Sequence, residues 1–281
     1  MNQISPLRLL SPILLCIILI LSSCNARQVV ALNEEAKKAN QDSIITRYAN
    51  NRAHTFNYRY QLPEWQAALD EGLQQDSTIA YLWQQKAMPY FKSRKYEVGM
   101  RYLDKAVHYD RKRYLPYRAF IKCIFSKSYA ASIVDFEESI KIWGDTYEMD
   151  HTYTFYIALA QLMLNEFENA ERNFKKTIAT QTLTMGEAHH LDLFYYALTH
   201  YELQQYKEAL AIFDICLKQY PKFSDALYYK ALCLFRIGRP EAEYMELMQL
   251  GQEYAKQGYT INEGNAVYEP YPYQVDWGDY H

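Results

Sequence analysis

Glycine is scarce in this chain, nine among 281 residues, and no group of them forms a phosphate-cradling or dinucleotide-binding pattern. The hydrolase elbow G-x-S-x-G and the metalloprotease H-E-x-x-H are also missing, so no familiar catalytic class is indicated and none is expected. There is no excess of positive charge. Thirty basic residues face 33 acidic ones, and nothing draws the chain to nucleic acid. Cysteine is limited to five residues without any C-x-x-C pair, which argues against a zinc ribbon or a redox motif. Nor does any apolar run reach the roughly 20 residues of a membrane-spanning helix. The longest, Leu9 to Leu21, is interrupted by Ser11 and Pro12.

That short run has the layout of a secretory signal, with Arg8 before it and the small residues Ser22 and Ser23 after it. The sequence Leu21-Ser22-Ser23-Cys24 resembles the bacterial lipobox. The resemblance implies cleavage before Cys24 and lipidation of its thiol and new amino terminus, an anchorage in which each buried CH₂ contributes about 0.8 kcal/mol. Plain secretion and an uncleaved anchor are the alternatives. Loss of Arg8 would leave 29 basic residues against 33 acidic, a net charge of about −4. Asn25, rather than the Asp that retains enterobacterial lipoproteins at the inner membrane, favours by resemblance an outer-membrane lipoprotein facing the periplasm. The chain then divides into a signal peptide (1–23), a tether (24–42) passing into a first helix, a helical array (43–258) and an extended tail (259–281). Of the cysteines, Cys123, Cys216 and Cys233 would remain free for packing, with a Cys216–Cys233 bridge as the rival reading.

What the chain has in quantity is self-similarity. Trp83-x3-Ala87-x2-Tyr90 is followed by Tyr96-x2-Gly99-x3-Leu103-x2-Ala106, and Leu193-x3-Ala197-x2-His200 by Tyr206-x2-Ala209-x3-Phe213-x2-Cys216, with Pro221 closing the unit. A third copy reads Thr154-x3-Ala158-x2-Gln161 and Phe167-x2-Ala170-x3-Phe174-x2-Thr177. Between them lies a copy with an intact second half, Tyr129-x2-Ser132-x3-Phe136-x2-Ser139. A last copy keeps its first half, Leu227-x3-Ala231-x2-Leu234, with Gly238 at the turn. The pattern resembles the tetratricopeptide repeat, TPR, over about two-thirds of the chain. Its anchors Tyr96, Tyr129, Phe167 and Tyr206 lie 33, 38 and 39 residues apart, so two connections exceed the usual 34 or so. The extra residues fall in "IWGDTYEMD" and "TQTLTMGEAHH".

Each half has the three-and-four periodicity of an amphipathic helix, and small residues recur where two helices must come close. A single pair cannot cover its own apolar face, so pairs must stack. The expected fold is all-α, a right-handed α-solenoid of about five TPR-like helix pairs. Ahead of the first full copy, "PEWQAALDEGLQQD" reads as a lone capping helix starting at Pro63. "ANNRAHTFNYRYQL" reads as irregular or as a distorted first helix.

In the family, first helices line the concave surface. The resemblance therefore places Gln84, Met88, Phe91, Phe155, Leu159, Leu162, Phe194, Leu198, Tyr201, Tyr228, Leu232 and Phe235 on a groove, and all but Gln84 are apolar or aromatic. An apolar patch of that extent marks an interaction site unless tight curling or a tail covers it and makes it core. The implied partner is a protein or peptide, and the implied role a lipid-anchored periplasmic scaffold. A small-ligand or glycan-binding lipoprotein is the alternative. No cofactor is implied. His189-His190 with Asp192, and Asp150-His151, lack the i, i+4 pairing of a helical zinc site and read as solvated loop residues, so no metal is expected. The tail carries Tyr268, Tyr271, Tyr273 and Trp277, too aromatic for a disordered segment, while Pro270 and Pro272 impose an extended path. It is expected to fold back on the last helices or into the groove beside Tyr228 and Phe235, with a partner-binding peptide and disorder as the alternatives.

Overall fold

A computed structural model describes residues 32–278. The signal peptide, Cys24 and the first part of the expected tether, to residue 31, lie outside the described residues. No described helix is long and apolar enough to cross a membrane. The chain divides into two compact units, with the boundary in sequence between Leu82 and Trp83.

In the first unit, helix α1 (32–44) passes into a π-helical segment, Ile45–Asn50, and a 3₁₀ turn, Ala53–Thr55. The helix therefore begins inside the stretch read as tether, and the segment left open between irregular and helical contains both. Helix α2 (Leu62–Gln75) starts with Pro63 in its first turn, where the missing N–H has no intrahelical partner to lose. Gly72 lets α2 approach the π segment: a Cβ there would lie 3.0 Å from that of Tyr48. Arg52 pairs with Glu71 across the same contact.

The second unit is five antiparallel helix pairs. They are α3 (Ala80–Lys92, whose first turn belongs to the preceding unit) with α4 (Tyr96–Tyr109), α5 (Arg111–Ile124) with α6 (Tyr129–Trp143), α7 (Tyr153–Met163) with α8 (Phe167–Met185), α9 (His190–Glu202) with α10 (Tyr206–Gln219), and α11 (Ser224–Arg236) with α12 (Glu241–Lys256). From α4 onward successive helices pack on one another, each second helix also meeting the first helix of the next pair. The aromatic anchors Tyr96, Tyr129, Phe167 and Tyr206 each open a second helix. All the small residues of the repeat, from Ala87 and Gly99 to Ala209 and Ala231, are buried. At Gly99 the fit is closest, because a Cβ would stand 2.5 Å from the Phe91 ring.

The turns within the pairs repeat one geometry. Arg94, Lys127, Asn165, Gln204 and Gly238 all have positive φ. In four of them the following amide bonds back to the carbonyl five residues earlier, as in Lys95 N–H to Tyr90 O (2.8 Å) and Gln205 N–H to His200 O (2.9 Å). This is the left-handed helix cap that usually takes glycine. Only the last pair uses one, which leaves four side chains in a conformation costing roughly 1–2 kcal/mol each. Two of them, Arg94 and Lys127, put that position to use below.

The longer connections have separate solutions. The first contains a small hairpin, β1 (Tyr147–Glu148) against β2 (His151–Thr152), with Tyr147 opposite Thr152 and Glu148 opposite His151. Two-residue strands carry too little pattern to stand out in a helical sequence. In the second connection α8 simply runs on to Met185, ending at left-handed Gly186. Cys123, Cys216 and Cys233 are free and buried, so the disulfide alternative is set aside in favour of apolar packing.

Candidate functional site

Residues 259–278 leave α12 as an extended hairpin lying on the first helices of the second unit. Outbound, Asn262 reaches His190 (Oδ1 to Nε2, 3.1 Å) and Glu263 reaches His151 (Oε1 to Nε2, 3.3 Å). The turn comes near Val267, which is 80% exposed. At the far end Lys92 lies over the Tyr268 ring, and Glu269 accepts from the Tyr96 hydroxyl and pairs with Arg94 at 3.3 Å. The return strand is gripped through its backbone. Lys127 Nζ donates to Pro270 O (2.6 Å), the Tyr195 hydroxyl to Pro272 O (2.9 Å), and Val275 N–H to Asp225 Oδ1 (2.7 Å). Tyr273 donates to Glu202 (2.8 Å), and Trp277 packs on Tyr228 and above Gly251, where a Cβ would come within 2.9 Å of its ring. Proline supplies carbonyls but no N–H, so Pro270 and Pro272 present acceptors and leave no orphan donor. The buried indole N–H of Trp277 has no partner among the described residues.

The residues expected on the groove divide by burial. Phe91, Phe155, Leu159, Leu162, Phe194 and Leu198 are at most 1% exposed; Gln84, Met88, Tyr201, Tyr228 and Leu232 are half-buried; Phe235 is 56% exposed. Phe155 packs on Phe174 of α8, and Phe194 on Phe213 of α10, which are contacts inside the helix pairs. The side chains that touch the tail are mostly one position further on. Lys92, Tyr195, Glu202 and Tyr229 follow Phe91, Phe194, Tyr201 and Tyr228, and Tyr228 of the expected set also packs on the tail, at Trp277. One residue is a rotation of about 100° on a helix, enough to carry a side chain from the inner face into the seam between helices. The tail thus lies along positions one residue beyond those that the family pattern placed on the groove, and these positions are more polar, with two Tyr, a Lys and a Glu.

Beneath the outbound strand sits a buried polar cluster. His151 Nδ1 meets Asp192 Oδ2 at 3.0 Å, with its other nitrogen on Glu263, and the His151 ring stacks on Phe155. Asp192 Oδ1 accepts from Thr177 (3.1 Å) and Gln181 (3.0 Å). Gln181 Oε1 in turn accepts from the His189 amide (2.9 Å), and His189 caps α9 by accepting from Leu191 N–H. Burial disfavours charge on His151, but its hydrogen bonds to Asp192 and Glu263 outweigh that and push it up to about 9. Burial works against the Glu263 charge too, and the His151 hydrogen bond overrides it, so its carboxyl lies below the usual range. His189 is pushed down to about 4, mainly by burial, with His190 and His151 adding to the effect. His151 and Asp192 were expected as solvated loop residues. That reading is corrected: they are 1% and 0% exposed, because the hairpin and the tail fold over the start of α9.

Asp225, at the start of α11, is another buried acid. It accepts from Ser224 as well as Val275, yet burial raises its carboxyl to about 6. The first unit carries an open cleft of about 570 Å³ lined by His54, Phe56, Tyr58, Tyr60, Arg59 and Trp65.

Comparison with known proteins assigns the architecture. A crystal structure of a tetratricopeptide repeat protein from Parabacteroides merdae superposes with a TM-score of 0.59 at 13% identity, covering 78% of this chain and 87% of that one. The chain has the TPR fold. PilF of Pseudomonas aeruginosa gives 0.55 at 14% identity over 78% of this chain and 94% of its own. PilW, a type IV pilus biogenesis factor, gives 0.53 at 15% over 73% and 88%. The family model for anaphase-promoting complex (cyclosome) subunit 3 matches residues 163–242, which run from the end of α7 to the start of α12. No curated protein matches the chain. Helical repeats of this kind serve typically as non-catalytic interaction scaffolds, and no catalytic family matches. At these identities the fold carries over, and function must be argued from the site.

Proposed function

We propose that the protein is a lipoprotein acylated at Cys24, held at the periplasmic face of the outer membrane, and that its TPR face takes an extended segment of a protein partner. One observation carries the reading: three side chains of the face, Lys127, Tyr195 and Asp225, bond main-chain atoms of the tail at Pro270, Pro272 and Val275. Main-chain bonds at spaced points suit extended peptide in general, while side-chain pockets between them select sequence. The tail supports this reading as an extended segment of that kind, and a partner segment on the same face must compete with it. Its apparent affinity is then lowered by the fraction of molecules in which the face is open. The lipobox and the layout of Arg8 to Cys24 support the anchoring. PilW, which has this fold, is a pilus biogenesis factor, and assembly work of that kind is compatible with a peptide-binding scaffold.

Affinity capture from native membranes tests this. A chain with Glu269→Gln and Tyr273→Phe, which loosen the tail and leave the face intact, is expected to recover more of the same partner than the intact chain. A synthetic peptide of residues 267–278 should displace that partner. Capture that is indifferent to both the substitutions and the peptide would contradict the reading.

A further inference from the structure

His151, His189 and Asp192 each offer one ligand atom, and these atoms all lie within 4.8 Å of one another. From this geometry we infer a binding site for a divalent transition metal of the zinc type, with one nitrogen from each histidine and one Asp192 oxygen as its ligands. It goes beyond the scaffold reading and does not depend on it.

The site is assembled from two connections separated in sequence. His151 comes from β2 of the hairpin, while His189 is the N-cap of α9 and Asp192 lies in its first turn. Two imidazoles and a carboxylate form a donor set that suits zinc, which commonly keeps a fourth position open in three-ligand sites. Ligand atoms in a tetrahedral zinc site stand roughly 3.4 Å apart, given bonds of about 2.0–2.2 Å. The separation of His151 Nδ1 from Asp192 Oδ2, 3.0 Å, is already close to that, and adjustments of an ångström or so would bring in the remaining atom.

The surroundings resemble the outer shell that a metal site requires. Glu263 stands on the second nitrogen of His151, the carboxylate–histidine arrangement that fixes ring orientation at metal centres. Thr177 and Gln181 hold the far oxygen of Asp192, so its near oxygen is aimed at the cluster. Two carboxylates, Asp192 and Glu263, are buried around one imidazole, and a divalent cation bound at Nδ1 would take the place of the proton that His151 shares with Asp192. Because Glu263 belongs to the tail, an occupied site would also steady the tail's outbound strand.

Calorimetric titration of untagged, chelator-dialysed full chain with ZnCl₂ tests the inference. It should show one site with a Kd in the micromolar range or tighter, and zinc should raise the thermal midpoint. Cobalt(II) should give the intense visible absorption of a four-coordinate ion. His189→Asn keeps a cap acceptor for α9 but removes the ring, and should weaken binding at least tenfold without lowering the midpoint measured in chelator. Glu263→Gln should weaken it less. Absence of zinc binding together with a purely octahedral cobalt spectrum in the intact chain would overturn the inference, whether or not either variant folds. Full-strength binding by a folded His189→Asn chain would overturn it as well.

Discussion

Replacing Tyr195 by Phe removes one hydroxyl and leaves the ring in place. That hydroxyl is fully buried and donates to Pro272 O at 2.9 Å, the midpoint of the three main-chain grips on the returning tail. An intramolecular hydrogen bond contributes about 0.5–1.5 kcal/mol net, and a buried carbonyl left without its donor costs about 1–3 kcal/mol. Because the tail can shift to hydrate its carbonyl, the lower part of that range applies, about 1–2 kcal/mol. If the tail opens as a unit, this is a roughly 5- to 30-fold rise in the open population. Hydrogen exchange reads it directly at the Val275 amide, which is bonded to Asp225 and lies three residues from the lost contact. The expected result is faster exchange at Val275 by that factor, with amides of α5 and α6 unchanged. Exchange at Val275 that follows global unfolding in both proteins would refute the idea of a separately opening tail.

Gly99→Ala should lower stability by about 1–3 kcal/mol in a denaturant melt, since its Cβ would meet the buried Phe91 ring; an unchanged midpoint would deny the tight contact. Phe194→Ala should cost about 3–5 kcal/mol, whereas Phe235→Ala, at an exposed site, should stay within about 1 kcal/mol of the parent. Equal losses would mean the helix register is wrong. For Asp225 the folded carboxyl value, about 6, lies above the ordinary 3.8, so the folded state holds the proton more tightly. Stability from this group is greatest below about pH 4 and falls as pH rises to about 6, by roughly 3 kcal/mol in all. The advantage of Asp225→Asn over the parent should therefore grow across that window and then level off, and a flat difference from pH 4 to 7 would contradict it. Cys24→Ser should abolish metabolic labelling with palmitate, and persistent labelling would rule out lipidation there.

The helix pairs were legible because their information is local. Three-and-four spacing and the recurrent small residues at 87, 99, 158, 170, 197 and 209 place both partners of a pair within about 30 residues, and each of those positions is buried as expected. Register around the helix axis was less secure. A stripe of Phe and Leu suits an exposed binding groove and an interhelical seam alike, and what separated them was the position of residues 259–278, far away in sequence. The histidine cluster was hidden for the same reason. His151 and Asp192 are 41 residues apart, and Glu263 another 71 beyond, so no spacing rule for a single helix could join them. The tail itself was readable from composition: its aromatic content required burial, and its prolines an extended path. That it would reach as far as Lys92 and Arg94 was not readable, because the Arg94 contact depends on the left-handed turn after α3.

The central claim is that the first-helix face recognises extended peptide and is now occupied by the chain's own tail. A protease site inserted at Val267, the exposed tip of the hairpin, tests it with every other residue in place. After cleavage the account predicts that the fragment from residue 268 onward stays bound through gel filtration, and that an excess of synthetic peptide with the same sequence exchanges into its place. A fragment that falls away at once, leaving a chain with unchanged melting and no affinity for the added peptide, would contradict it.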